Sequence, residues 1–92
     1  MQIRWTPEAV DDLERIAEYI AENNPDSALR VARRVYGSVA SLAESPGRGR
    51  IGWVEGTREL VLAPLPYVVV YRINDASVEI LHVHHGAQNW RK

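Results

Sequence analysis

The spacing of apolar residues divides the chain into two halves of different periodicity. Between residues 10 and 43, apolar positions recur every three or four residues, which is the period of helices with one buried face. Between residues 60 and 84, β-branched and aromatic residues cluster in short runs, which is typical of strands. Helices followed by a separate group of strands predict an α+β fold.

Both predicted helices begin with a capping residue followed by a proline. Thr6 precedes Pro7, and Asn24 precedes Pro25. A cap accepts a hydrogen bond from an unpaired backbone N–H, and proline at the first helical position has no N–H to satisfy. The short link between the helices predicts an αα-hairpin. The predicted buried stripes are Val10, Leu13, Ile16, Ala17 and Ile20, and then Ala28, Ala32, Val35, Val39 and Leu42, widened by Leu29, Tyr36 and Ala43.

Strands are predicted on both sides of this helix pair. A short strand covers residues 2–5, and a loop rich in glycine covers 46–57. Residues 60–62, 67–73 and 78–84 read as strands, with a turn at 74–77 that makes the last two a hairpin. We therefore expect one domain over residues 1–92, in the order β-α-α-β-β-β, with a small twisted antiparallel sheet packed against the helices.

Charge is unevenly distributed, although the net charge is only -1. Residues 1–44 carry five arginines and eight acidic residues, a net charge of -3, whereas residues 45–92 carry six basic and four acidic residues, a net charge of +2. The two halves sum to -1. This balance excludes a simple polybasic nucleic-acid binder and indicates an acidic helix pair joined to an arginine-bearing sheet.

Missing features narrow the function further. The chain has no cysteine, which excludes disulfides and a cysteine nucleophile and is typical of the reducing cytoplasm, where we expect the protein. No apolar run approaches the 18 or so residues that span a bilayer, and the first residues do not resemble a signal peptide. We therefore expect no membrane partner. Nucleotide-binding glycine motifs are also absent, and we expect no cofactor.

The histidines are the first candidates for chemistry. His82 and His84 point to one face of the predicted last strand, with Cβ atoms about 6–7 Å apart. Two such residues can share a metal ion, but a third ligand is missing because His85 faces the other way. We therefore expect no metal site and interpret them as sheet-surface residues, while acid–base work by one of them stays open.

Arginines and aromatic residues are the second group of candidates. Arg58 and Arg72 are predicted to converge on the sheet face that the helices leave open; the alternative is that each is paired with a nearby glutamate. Tyr67 and Tyr71 lie four residues apart on one strand and so share a face. Trp53 and Trp90 have three possible roles. They cap the small core, they anchor a partner, since tryptophan, tyrosine and arginine dominate interface hot spots, or they stack on nucleic-acid bases.

Five short segments, in order, resemble the RelE/ParE superfamily of toxins from bacterial type II toxin–antitoxin modules, and most closely its ParE-like, plasmid-stabilisation branch. They cover nearly the whole chain. The segments are residues 3–9 (IRWTPEA) followed by Asp12-Leu13, residues 45–48 (SPGR), 56–60 (GTREL), 66–72 (PYVVVYR) and 85–90 (HGAQNW).

The resemblance implies two helices on a small antiparallel sheet, and a cognate antitoxin whose C-terminal segment wraps the toxin. ParE-like members are regarded as inhibitors of DNA gyrase, whereas RelE-like members cut mRNA in the ribosome. RelE-like nucleases look similar in having an arginine just after the tyrosine of the central strand. This chain has valine at positions 68–70, directly after Tyr67. In ParE-like tails the pattern is His-Gly-x-Arg-Asp-Trp, where this chain has Gln88 and Asn89.

We therefore expect a toxin that inhibits DNA gyrase by protein–protein binding, without enzymatic activity or sequence-specific DNA binding of its own. Two alternatives remain: a ribosome-dependent mRNA endoribonuclease using His85, Arg58 and Arg72, or an inactive member that only binds its antitoxin. The outer groove of the helix pair is expected to take the antitoxin helix. The predicted target- and antitoxin-binding residues are Arg58, Tyr67, Tyr71, Arg72, His85, Trp90 and Arg91.

Overall fold

Two helices and five strands make up the part of the chain that the computed structural model describes, residues 1–87. Two single 3₁₀ turns, Ser41–Ala43 and Pro46–Arg48, follow the helix pair. No helix within these residues is long and apolar enough to cross a membrane. The elements are β1 (Gln2–Trp5), α1 (Pro7–Ala21), α2 (Pro25–Ala40), β2 (Arg50–Ile51), β3 (Arg58–Val61), β4 (Tyr67–Ile73) and β5 (Ser77–His85).

Both predicted helix caps are confirmed. The Thr6 hydroxyl accepts a hydrogen bond from the Ala9 N–H at 3.2 Å, and the Asn24 side chain accepts one from the Ser27 N–H at 3.1 Å. Thr6 also donates from its hydroxyl to the Ile80 carbonyl at 2.7 Å, so the cap joins α1 to β5. The start of α1 is thereby fixed both within the helix and to the sheet.

The sheet has the strand order β1-β5-β4-β3-β2, and it is mixed rather than purely antiparallel. The pairs β2–β3, β3–β4 and β4–β5 are antiparallel, whereas β1 runs parallel to β5. The prediction of an antiparallel sheet is therefore wrong at one edge. Periodicity shows which face of a four-residue strand is apolar, but the partner of β1 lies some 75 residues away along the chain. The segment predicted as a loop also contributes the short edge strand β2.

An irregularity in the β4–β5 pairing decides which side chains of β5 enter the core. Val70 pairs with His82 and Tyr71 with Ile80, so β5 has one extra residue at this point. As a result Ile80 and Val83, three positions apart, both join the main hydrophobic cluster. The other fully or nearly fully buried members of this cluster include Val35, Val39, Leu42, Val69, Tyr71 and Val78.

The predicted stripe on α2 is only partly buried. Val35 and Val39 are in the core, but Leu29 and Tyr36 are each 52% exposed. Widening the stripe with these two residues was therefore wrong. They lie seven residues apart, which is two helical turns, so α2 carries a half-exposed apolar stripe. At one end of this stripe the Tyr36 ring contacts Trp5 of β1, with ring centroids 5.1 Å apart.

The sheet face away from the helices is covered at its centre. Val68 and Val70 point to this face and are nevertheless buried, at 6% and 0% exposure. The loop residues Val54–Thr57 line a cavity together with Arg72 and His82, which places this loop over the same face. The prediction of an open sheet face therefore does not hold in its middle.

Candidate interaction site

Tyr71, predicted to lie on the binding surface, is buried and holds the loop before β2 through two hydrogen bonds. Its side chain is fully buried, and its hydroxyl accepts a hydrogen bond from the Gly49 N–H at 2.8 Å and donates one to the Pro46 carbonyl at 2.7 Å. A Cβ at Gly49 would lie 2.6 Å from this hydroxyl, so glycine is required there. The structure therefore corrects the prediction: Tyr71 positions the loop from inside.

Arg58, on β3, forms hydrogen bonds to the same loop. One guanidinium nitrogen donates to the Gly49 carbonyl at 2.9 Å and to the Gly47 carbonyl at 3.4 Å. Arg58 pairs with Tyr71 across the β3–β4 ladder, so the two side chains lie side by side on the helix-side face. Its charge is therefore partly used to satisfy backbone carbonyls of the loop.

Arg72 lies on the opposite face of the sheet from Arg58. Because Arg58 is opposite Tyr71, the next residue of β4 points the other way. There the Arg72 Nε donates to Glu79 at 2.6 Å, and Asn74 donates to the same carboxylate oxygen. The predicted convergence of Arg58 and Arg72 is therefore wrong, and the alternative pairing of Arg72 with a glutamate is confirmed.

Tyr67 and His85 do meet, in a cleft beside α1. They are opposite each other in the β4–β5 ladder, with ring centroids 5.8 Å apart and planes nearly perpendicular at 85°. The cleft has a volume of about 540 Å³. Its lining residues are Asp12, Arg15, Ile16, Tyr19, Tyr67, Val83 and His85.

Asp12 builds the wall of this cleft, and sequence reasoning missed it. One carboxylate oxygen accepts a hydrogen bond from the Val83 N–H at 3.0 Å and lies 3.2 Å from the His82 Nδ1. Arg15 donates to the other oxygen at 3.4 Å. The available signal was an acidic residue directly before the buried Leu13, at the border between the polar and apolar faces of α1. A carboxylate placed there can reach the sheet.

The three residues of the predicted nuclease site do not come together. His85 is opposite Tyr67 on β4, and Arg58 is opposite Tyr71, four residues further along the strand. This separation corresponds to about 13 Å along the sheet. Since Arg72 lies on the other face, His85, Arg58 and Arg72 cannot bind one phosphate group.

His82 and His84 share a face, as predicted, but each is engaged with the protein. His82 contacts Asp12, and the Nδ1 of the buried His84 is 2.8 Å from the His85 carbonyl. Within residues 1–87, no group of three or more potential ligands is arranged to hold a metal ion. Trp90 and Arg91, the remaining predicted contact residues, lie outside the described residues.

Comparison with known proteins identifies the family. A sequence model of the ParE toxin of the type II toxin–antitoxin system parDE matches residues 3–90. The chain belongs to the ParE toxin family. It is the toxin of a type II toxin–antitoxin system, as the resemblance predicted.

Sequence relatives of this ParE-family toxin are themselves named as toxins, and one of them carries a RelE name. Protein Y4kP of Sinorhizobium fredii, named as a candidate toxin, is 48% identical over 89 residues, covering 97% of this chain and 92% of Y4kP. Toxin RelE2 of Caulobacter vibrioides is 41% identical over 87 residues, covering 95% and 97% of the two chains.

Two solved structures share the fold of the toxin. A chain of the chromosomal ParDE system from P. aeruginosa matches with a TM-score of 0.82 and 28% identity, over 92% of this chain and 95% of that chain. A chain of the toxin–antitoxin complex RelBE2 from Mycobacterium tuberculosis matches with a TM-score of 0.61 and 27% identity, over 91% and 95%. Both structures come from toxin–antitoxin systems, which supports a cognate antitoxin as partner of this toxin.

Replacing Tyr71 by phenylalanine is expected to destabilise the toxin by about 1–3 kcal/mol, because the buried Gly49 N–H and the partly buried Pro46 carbonyl lose their hydrogen-bond partner. Denaturant unfolding of the purified toxin measures this change. The control is Tyr19→Phe, since Tyr19 is 73% exposed and its change should be close to zero. Equal stability of the Tyr71→Phe variant and the wild type would show that the two hydrogen bonds of the Tyr71 hydroxyl do not stabilise the loop.

Arg72 sets the ionisation of Glu79. Its hydrogen bond holds the pKa of the Glu79 carboxyl below the ordinary 4.5, with a smaller contribution from Asn74. The pKa of Glu79 is lower in the folded toxin than in the unfolded chain. The Arg72–Glu79 pair therefore contributes its full stabilisation of the fold above pH 4.5, and this stabilisation is lost as the pH falls through the pKa of Glu79 in the folded toxin. In Arg72→Gln the Glu79 pKa should rise toward 4.5 in an NMR titration. The control is Arg15→Gln, which removes an arginine from the Tyr67–His85 cleft and should leave the pKa of Glu79 unchanged.

Proposed function

We propose that this toxin arrests growth by binding DNA gyrase, through protein–protein contact and without nuclease chemistry of its own. The observation that carries the proposal is the separation of His85, Arg58 and Arg72, the three residues for which the sequence predicts a nuclease site. Arg58 is used on loop carbonyls, Arg72 on Glu79, and His85 lies about 13 Å along the sheet from Arg58. A metal-free ribonuclease needs an acid–base group and cations around one phosphate.

Charge supports the same proposal. The toxin has a net charge of -1, and residues 1–44 have a net charge of -3. Binding to ribosomal RNA gains most of its affinity from neutralised phosphates, so an acidic helix pair is a disadvantage there. A protein target has no such requirement, and an arginine-bearing sheet joined to acidic helices suits it better.

The antitoxin is proposed to cover the outer side of the helix pair. Leu29 and Tyr36 present an apolar stripe on α2, and Tyr19 on α1 is 73% exposed. An amphipathic helix docks on such a surface through side chains spaced three, four or seven residues apart. The Tyr67–His85 cleft completes the proposed antitoxin-binding surface. Trp90 and Arg91, which lie outside the described residues, stay predicted contact residues.

A ribosome-dependent mRNA endoribonuclease remains the second candidate because of the cleft. There His85, Tyr67 and Arg15 line one concave site, which brings an imidazole, a phenol and a guanidinium into the same cleft. These are the types of group that can move a proton and stabilise a phosphate in strand cleavage. This set differs from the one predicted from sequence, in which Arg58 and Arg72 supplied the cations.

Purified toxin is expected to inhibit DNA supercoiling by gyrase, or to trap gyrase on cleaved DNA, at concentrations that leave mRNA intact on ribosomes. The measurement is a gel assay of supercoiling run in parallel with a translation reaction whose mRNA is mapped for cuts. An unaffected gyrase, together with mRNA cuts that disappear in His85→Ala, would reverse the order of the two candidates.

Replacing Leu29 by serine is expected to weaken the antitoxin complex by at least about tenfold, since an exposed apolar contact is lost from the proposed groove. The toxin and its co-encoded antitoxin would be purified together, and the dissociation constant measured by calorimetry. Ile51→Ser is the matched control, because Ile51 is also an exposed apolar residue but lies at the far edge of the sheet. Unchanged affinity in Leu29→Ser would place the antitoxin elsewhere.

A further inference from the structure

One row of side chains along α2 lies on the surface from end to end. Its members are spaced three, four, three and four residues apart, which places them on one face of the helix, and each of them is exposed. The row consists of Asp26, Leu29, Arg33, Tyr36 and Ala40. This is the spacing at which one helix packs lengthwise along another, so the row has the geometry to receive a helix.

The corresponding row of α1 is a contrast within the same chain. It has the same spacing and is also exposed, but every member is charged: Glu8, Asp11, Arg15 and Glu18. A fully charged row is the usual solvent-facing side of an amphipathic helix. The row of α2 instead has a leucine and a tyrosine, each 52% exposed, on either side of one arginine. Of these two rows, only the one on α2 has apolar surface to bury against a partner.

Arg33, between the two apolar members of the row, has no ion-pair partner within residues 1–87. The other arginines of α2 are engaged: Arg30 donates to the Ser27 hydroxyl at 2.8 Å, and Arg34 donates to the Ala63 carbonyl at 3.1 Å. On its own helix, the positions three and four residues from Arg33 hold no carboxylate. Arg33 therefore presents a positive charge that no side chain of the described residues neutralises.

Tyr36 is held in place by the toxin itself. Its ring contacts Trp5 of β1, and Trp5 in turn packs against the main hydrophobic cluster. A ring that is already fixed loses little conformational entropy when a partner binds. Tyrosine and arginine are also among the residue types that dominate binding energy at protein interfaces. The row therefore offers a preformed aromatic contact next to an arginine.

We infer that Arg33 selects the antitoxin, by pairing with a carboxylate on the antitoxin helix that lies along this row. That helix carries two apolar residues seven positions apart, which contact Leu29 and Tyr36, and an aspartate or glutamate between them. A helix with an apolar or basic residue at the middle position leaves the guanidinium covered and without a partner, which disfavours binding. This inference rests on the proposed placement of the antitoxin on the helix pair and adds the residue that makes the contact specific.

The test measures the dissociation constant of the purified toxin with its co-encoded antitoxin by calorimetry. Arg33→Gln should weaken binding by about tenfold, and Arg33→Glu should weaken it further, because two carboxylates then face each other. Replacing the facing carboxylate of the antitoxin helix by arginine should restore binding to Arg33→Glu and weaken binding to the wild type. Circular dichroism and thermal unfolding establish that the variants fold.

The matched control is Arg4→Gln, which should bind the antitoxin as tightly as the wild type. Arg4 is also an exposed arginine, but it lies between Ile3 and Trp5, which pack against the core, so it points to the sheet face away from the helices. Equal losses of affinity in Arg4→Gln and Arg33→Gln would show a general effect of net charge and would overturn the selective role of Arg33.

Leu29→Ser separates this inference from the proposed placement of the antitoxin. Weaker binding by Leu29→Ser, with wild-type affinity in Arg33→Gln, leaves the antitoxin on the row and overturns Arg33 as the selecting residue. Wild-type affinity in both variants refutes the placement as well.

Two further measurements test the occupant of the row. Arg33→Gln, induced in cells without antitoxin, should arrest growth like the wild type; loss of arrest would show that the row contacts the target instead. Sedimentation of the free toxin should show a monomer. A dimer that dissociates in Arg33→Gln, together with unchanged affinity for the antitoxin, would assign the row to a second copy of the chain and overturn the inference.

Discussion

The placement of the helix pair depends on two polar side chains of α1 that bond to the backbone of β5. Thr6, at the start of the helix, bonds to Ile80, and Asp12, more than one turn later, bonds to Val83. The Ile80 carbonyl also accepts the Thr6 backbone N–H at 3.1 Å, directly after the last β1–β5 pair, Trp5 with Ile80. The Val83 N–H lies beyond that pair, and Asp12 supplies its hydrogen-bond partner. Hydrogen bonding to the Ile80 carbonyl and the Val83 N–H fixes the position of α1 against β5. The Tyr67–His85 cleft is the space that remains beside it.

A second constraint explains why residues that resemble a catalytic set have a structural role. The loop before β2 carries three glycines between residues 47 and 52 and has little side-chain surface of its own to bury. Tyr71 and Arg58 supply hydrogen bonds to Pro46, Gly47 and Gly49 that the loop cannot supply itself. A small domain has few residues to spare, so strongly polar side chains are used to hold irregular backbone.

Two exposed apolar surfaces lie outside the core of the toxin. One is formed by Leu29 and Tyr36 of α2, and the other by Ile51 and Trp53 near the β2 edge of the sheet. None of these four side chains belongs to the main hydrophobic cluster, so they can change in sequence without disturbing the core.

The sequence alone determined the local structure and the family. Caps at Thr6 and Asn24, the strand from Tyr67 to Ile73, and the α+β class all follow from short-range patterns, and each is present. Tertiary structure decided what depends on distant pairing: the parallel contact of β1 with β5, the faces of Arg58 and Arg72, and the burial of Tyr71. A side chain's neighbours across a sheet are set by strand order and register, and one extra residue in β5 changes which positions face the core. Periodicity carries the alternation of faces but not the partner, so the chemistry of the site could be read only from the folded chain.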